Sequence, residues 1–157
     1  MSQTQVDATA LFCSILERAK PEVNGQSLHA GDDAIAAAHL LRERVLVHGA
    51  LLDWVTCPEC GVQTARVVQD KSKETIALLC PECGDMEGSR HLRDTYKVAL
   101  QKFIVSLLNG LGFSLNGMKP VVPDLIWRLG TAEAQLGKAV TWYFARRLTR
   151  PDVSSRL

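Results

Sequence analysis

No stretch of this 157-residue chain approaches the roughly 18 consecutive apolar residues of a membrane-spanning helix. The opening Met1-Ser2-Gln3-Thr4-Gln5 has neither the basic nor the apolar segment of a secretory leader. Low-complexity tracts are absent, and so are repeats apart from one doubled motif. These absences lead us to expect a cytoplasmic protein with no membrane partner. The chemical absences matter as much. There is no Ser-His-Asp arrangement, no glycine-rich phosphate loop, and no His-x-Glu element with a deaminase-type cysteine pair. The paired acids Asp32-Asp33 suit a helix start better than general acid–base work. None of the four histidines, His29, His39, His48 and His91, is spaced to make a metal pair with another, and His91 reads as a surface residue. The sequence gives no case for an active site, so the expectation is a protein that is not an enzyme.

What is present is an ordinary globular composition, 46% hydrophobic and 22% charged, with material for a real core. The length suits one domain or two small ones. Of the five cysteines, Cys13 sits alone in a helical pattern and reads as a small buried apolar residue. The other four form two copies of one pentapeptide, Cys57-Pro58-Glu59-Cys60-Gly61 and Cys80-Pro81-Glu82-Cys83-Gly84. A Cys-x2-Cys turn can aim two sulfurs at one ion while its backbone N–H groups point at those sulfurs. The glycine after each second cysteine permits the positive φ that such a turn often requires. In a reducing compartment such thiols bind metal rather than pair as disulfides. Cys57, Cys60, Cys80 and Cys83 are therefore expected to hold one Zn²⁺. A rubredoxin-like iron centre is the alternative, and the scarcity of aromatics around the turns argues against it. Four thiolates leave no open coordination position, so the metal would be structural and not catalytic.

The segments between the cysteines have strand character. Leu51 to Val55 leads into the first turn, Thr64 to Gln69 follows it, Asp70-Lys71-Ser72-Lys73 is a polar turn, and Thr75 to Leu79 runs into the second cysteine pair. Strand, knuckle, strand, hairpin, strand, knuckle resembles the zinc-ribbon class. The resemblance covers residues 51–89, about a quarter of the chain.

The flanks read differently. Residues 1–50 are expected to form a helical hairpin. Val6, Ala10, Cys13 and Leu16 or Ile15 would face inward on its first helix, and Ile35, Ala38, Leu41, Val45 and Leu46 on its second, which would end at His48-Gly49. A helix is expected from Arg93 to about Leu111, capped by Asp94, with Tyr96, Leu100, Phe103 or Ile104, Leu107 and Leu108 on one side and Gly110 and Gly112 at its close. Ser114 to Gly117 reads as a turn. The last part has two readings. In the first, Pro123 to Leu148 is a helix-turn-helix. In the preferred one, Ile126 to Leu129 and Val140 to Phe144 are the strands of a hairpin that turns around Gln135 to Lys138, because the second run alternates with period two and is rich in aromatic and β-branched residues. The expected class is α+β, divided as 1–50, 51–89 and 90–157, and a winged-helix-like arrangement is compatible with its C-terminal part.

Charge separates these segments. Residues 94–157 carry nine Lys/Arg and four Asp/Glu, whereas 1–50 carry four and six and 51–93 carry five and seven. Any phosphate backbone should therefore meet the last third first. Lys119, Arg128, Lys138, Arg146, Arg147 and Arg150 are the candidate phosphate contacts, and Trp142 and Tyr143 could stack on bases. The competing reading makes Trp127, Trp142 and Phe144 core residues and the arginines a solvated face. The expected function is a zinc-stabilised nucleic-acid-binding protein, with DNA favoured and a regulator the most natural role. The alternative is an adaptor or assembly subunit that binds protein. In either case the N-terminal helices would dimerise or bind a partner.

Overall fold

A computed structural model of the chain describes residues 3–29, 33–72, 74–110, 118–133, 139–148 and 151. Helices and strands both occur, in keeping with an α+β class. Among the described residues, no helix is long and apolar enough to cross a membrane. The chain forms two compact units, Met1–Phe12 with Glu22–Lys97 and Cys13–Pro21 with Val98–Leu157.

Helix α1 (Gln3–Leu16) buries Ala8, Leu11, Phe12 and Ile15. The expected stripe through Val6 and Cys13 instead faces solvent. Both stripes have helical spacing. The one containing Leu11 and Phe12 removes more apolar area from water, and area decides. Next come strand β1 (Glu22–Asn24), helices α2 (Gly25–His29) and α3 (Ala34–Arg42), and strand β2 (Leu46–His48). On α3 the buried residues are Ala36, Ala37 and Leu40, and Ile35 is 71% exposed.

Residues 1–50 are therefore not a simple helical hairpin. Strands interrupt the helices, and both β1 and β2 pair with β7 (Thr95–Val98) in a sheet of order β1-β7-β2. The register sets Glu22 against Lys97, Val23 against Tyr96 and Asn24 against Thr95. Val23, Leu46, Tyr96 and Val98 are buried. A three-residue strand carries one buried residue or two, which is too little alternation to show in a sequence. Asn24 also starts α2, its Oδ1 accepting the Ser27 N–H at 2.9 Å.

Strand β7 occupies the front of the expected helix 93–111. Tyr96 and Val98 alternate with Thr95 and Lys97, so period two wins over 95–98 and the helix starts only at Leu100. Asp94 is no helix cap. It is buried, and its carbonyl accepts the Gly25 N–H at 2.7 Å.

Between β2 and β7 lies the ribbon: β3 (Trp54–Thr56), β4 (Thr64–Asp70), β5 (Thr75–Cys80) and β6 (Gly84–Ser89), antiparallel in the order β3-β4-β5-β6. The sequence reading has three of these strands. The fourth, Gly-Asp-Met-Glu-Gly-Ser, lacks β-branched and aromatic residues and is held by pairing Cys80 through Thr75 with Gly84 through Ser89. Val55, Ala65, Ile76 and Leu78 pack with Cys57 and Cys80 on the buried face. Arg93 ties the ribbon edge by donating from Nη1 to Asp70 Oδ1 at 2.6 Å.

In the second unit, helix α4 (Leu100–Gly110) buries Leu100, Ile104 and Leu108, an i, i+4, i+8 stripe. Leu107, expected on that face, is 41% exposed. Ile104 and Leu108 pack with Leu129, Phe103, Met118, Trp127 and Phe144. Strands β8 (Lys119–Val122), β9 (Ile126–Glu133) and β10 (Ala139–Ala145) form an antiparallel sheet of order β10-β9-β8. Residues 126–133 and 139–145 are extended, so the helix-turn-helix reading of this region does not hold. The expected turns at 114–117 and 135–138, Gly112, Lys138 and Arg150 lie outside the described residues.

Candidate metal centre

Two tight turns bring the four cysteines together. After β3, the Gly61 N–H donates to the Cys57 carbonyl at 2.9 Å and the Cys57 N–H to the Gln63 carbonyl at 2.8 Å, which curls the chain around the first pair. Gly61 has φ 69° and Gly84 φ 77°, and no atom lies within 4 Å of where a Cβ would stand on either. Backbone conformation, not space, requires glycine at both positions.

The ligand atoms of Cys57, Cys60, Cys80 and Cys83 all lie within 4.8 Å of one another. Cys57 Sγ is 3.9 Å from Cys83 Sγ. Four sulfurs at about 2.3 Å from a central Zn²⁺ would sit about 3.8 Å apart along each tetrahedral edge. Cys57 and Cys80 are buried, while Cys60 and Cys83 are half-buried. The thioether of Met86, a residue the sequence reading passes over, stands 3.7 Å from Cys57 Sγ and closes one side.

The electrostatics of the cluster point the same way. The N–H groups of Gln63 and Val62 lower the Cys60 thiol to about 7. Burial, followed by the sulfurs of Cys57, Cys80 and Cys60, raises the Cys83 thiol to about 12. Thiolates this close repel one another, so ionising all four thiols together is unfavourable without a cation. A divalent ion at their centre removes the conflict, since coordination deprotonates a thiol outright. The donor set can therefore hold one metal ion, and its geometry is compatible with zinc.

The fold gives the candidate phosphate contacts different surroundings. Lys119 is exposed on β8 and Arg128 is half-buried on β9, and the two are direct cross-strand partners. Arg128 is also opposite Tyr143 of β10, which is 53% exposed. Arg147 is half-buried in a left-handed conformation at φ 60°. Arg146 is removed from this group. It is only 4% exposed, and its guanidinium donates to the carbonyls of Leu16 at 2.7 Å, Arg18 at 2.8 Å and Ala19 at 3.1 Å, with Nε on the carbonyl of Asp124. A buried arginine at the end of a basic run looks in sequence like an exposed one.

The histidines supply what the sequence reading lacks. His29 and His91 stack with ring centroids 4.2 Å apart. His29 Nε2 lies 3.2 Å from the Tyr96 hydroxyl, and His48 packs on the same Tyr96 ring at 4.8 Å. Their separation along the chain leaves no local signal of this meeting, which depends on β1 and β2 both finding β7. No family model, curated protein or solved structure matches the chain.

Proposed function

We propose that this is a non-enzymatic nucleic-acid-binding protein whose four-cysteine ribbon is stapled by one structural Zn²⁺. DNA is the favoured ligand and regulation the favoured role. One observation carries the reading: the cross-strand row Lys119, Arg128 and Tyr143 on the β10-β9-β8 sheet. It sets two cations and an exposed aromatic ring side by side within the net-positive third of the chain. Cations contact phosphates without regard to sequence, and a neighbouring ring can stack on an unpaired base. The ribbon's acids, among them Glu59, Glu82 and Asp85, disfavour it as the first surface a phosphate meets. Filter-binding titrations against duplex and single-stranded DNA and RNA at two salt concentrations test the proposal. Binding that weakens with salt and with Lys119→Ala/Arg128→Ala supports it, and no retention at low salt ends it.

A second reading, a protein-binding adaptor, is favoured by the ribbon's outer face. Trp54 and Leu79 flank Arg66 in register across β3, β4 and β5 and are 56% and 44% exposed. Val62 and Val68 are 81% and 60% exposed on the same module. A self-associating N-terminal segment, with Ile35 on its surface, is compatible with both readings. Concentration-dependent mass, with no nucleic-acid retention, would select the adaptor.

A further inference from the structure

Three of the four histidines converge in the first unit, and neither the ribbon nor the basic sheet uses them. His29 is the last residue of α2, His48 ends β2, and His91 lies in the 3-10 turn Arg90–Leu92 between β6 and β7. They do not make a second metal centre. Among the described residues only the four cysteines place three or more ligand atoms mutually within 4.8 Å.

Their geometry is that of a joint. The α2 helix begins at Gly25, which is buried, and its N–H donates to the Asp94 carbonyl at 2.7 Å. A Cβ at Gly25 would overlap the His91 carbonyl oxygen, so α2 lies directly on the 3-10 turn. At the other end of α2, His29 stacks on His91 at 4.2 Å between centroids, with the ring planes 30° apart. Two imidazolium rings so stacked repel each other, while two neutral rings, or one of each, do not. His48, His91 and Asp94 also line a surface pocket of about 910 Å³, so protons reach the stack from solvent.

We propose that the His29–His91 stack is an acid-sensitive joint that seats helix α2 on the 3-10 turn at neutral pH and releases it as the second ring protonates. The groups facing the stack are His48 of β2, Tyr96 of β7, and Asp94, whose Oδ2 is 3.4 Å from His91 Nδ1; Arg90 and Glu74 line the adjoining pocket. Asp94 places one negative charge beside the pair, which does not balance two imidazolium charges. His29 fits the role of the ring that resists protonation. Although His29 and His91 are both largely exposed, the partial loss of solvent around His29 lowers its pKa first, then the neighbouring His91, with Asp94 opposing and His48 adding. A histidine lowered below its unfolded value of 6.5 binds fewer protons when folded than when unfolded. Its contribution is complete above that pH and is lost as the pH falls below it.

The test is amide hydrogen exchange on the intact, zinc-loaded chain from pH 7.5 to 5.5, with protection factors corrected for intrinsic rates. Gly25 reports the joint and Gly61 reports the knuckle, since its N–H bonds the Cys57 carbonyl. Gly25 protection is expected to fall by up to about tenfold per pH unit as the pH drops below 6.5 while Gly61 holds. His29→Phe, which keeps a stacked ring without a titrating nitrogen, should flatten the Gly25 profile. If Gly25 and Gly61 lose protection together, acid lability belongs to the metal centre and the proposal fails. A flat Gly25 profile in the unaltered chain overturns it as well. Should His29→Phe not fold, the ¹⁵N titration of the His29 ring in the unaltered chain decides: a midpoint at or above 6.5 is incompatible with the joint.

Discussion

Cys57 Sγ stands 3.9 Å from Cys83 Sγ, although the two belong to different knuckles and to opposite ends of the ribbon's strand order. The distance is that of two ligands of one tetrahedral ion. Purified protein should therefore carry about one zinc per chain by metal analysis. Reduced, folded protein without metal would refute this. Cys57→Ser and Cys80→Ser remove buried candidate ligands and should lower both zinc content and Tm, because binding of a structural metal is coupled to folding. An unchanged Tm would count against the coupling.

The glycines should separate by mechanism. Gly61→Ala and Gly84→Ala meet no atom within 4 Å and should each cost about 1–2 kcal/mol from left-handed backbone alone. Gly61→Asn should cost less than Gly61→Ala, since asparagine visits that region more readily. Gly25→Ala meets the His91 carbonyl and should cost more than either. Urea unfolding of the four variants measures the order, and equal costs at 25 and 61 would contradict it.

Arg146 predicts a stability effect, not a binding effect. Arg146→Ala strips four carbonyls of a shared donor and should destabilise the second unit by about 3 kcal/mol or more. Arg146→Lys should rescue little, because a single ammonium cannot reproduce the planar fork. Thermal unfolding checks both. A stable Arg146→Ala protein with weakened nucleic-acid binding would reverse the assignment.

On the proposed interface, Lys119→Ala and Arg128→Ala should each reduce the salt slope of duplex binding by about one. Tyr143→Ala should weaken single-stranded ligands by about 1–3 kcal/mol and duplexes less. Salt-series titrations separate the two. Equal losses on both ligands from Tyr143→Ala would argue that the ring supports the sheet and does not stack.

The cysteine cluster was legible because its signal is local: four cysteines, two glycines, fixed spacing. The strand at 140–144 was legible because all five of its residues are β-branched or aromatic. The helix faces were not. Cys13 against Phe12 and Ile35 against Ala36 differ by one position, and the sequence contains acceptable spacing for either choice. Strands β1, β2 and β6 were hidden for different reasons. The first two have three residues each, and β6 has a composition that only its partner β5 makes extended. The histidine stack and the burial of Arg146 arise from contacts between segments far apart in the chain, which no local pattern encodes.

The central place of β7 between β1 and β2 also sets an order of events. The β4–β5 and β5–β6 pairings close short loops, whereas β7 must find partners at residues 22–24 and 46–48. Closing a longer loop carries more chain entropy and slows pairing. The ribbon should thus acquire its hydrogen bonds first in refolding, with the β1-β7-β2 sheet following. Pulse-labelled exchange would see Leu78 protected ahead of Val23, and simultaneous protection would exclude that order.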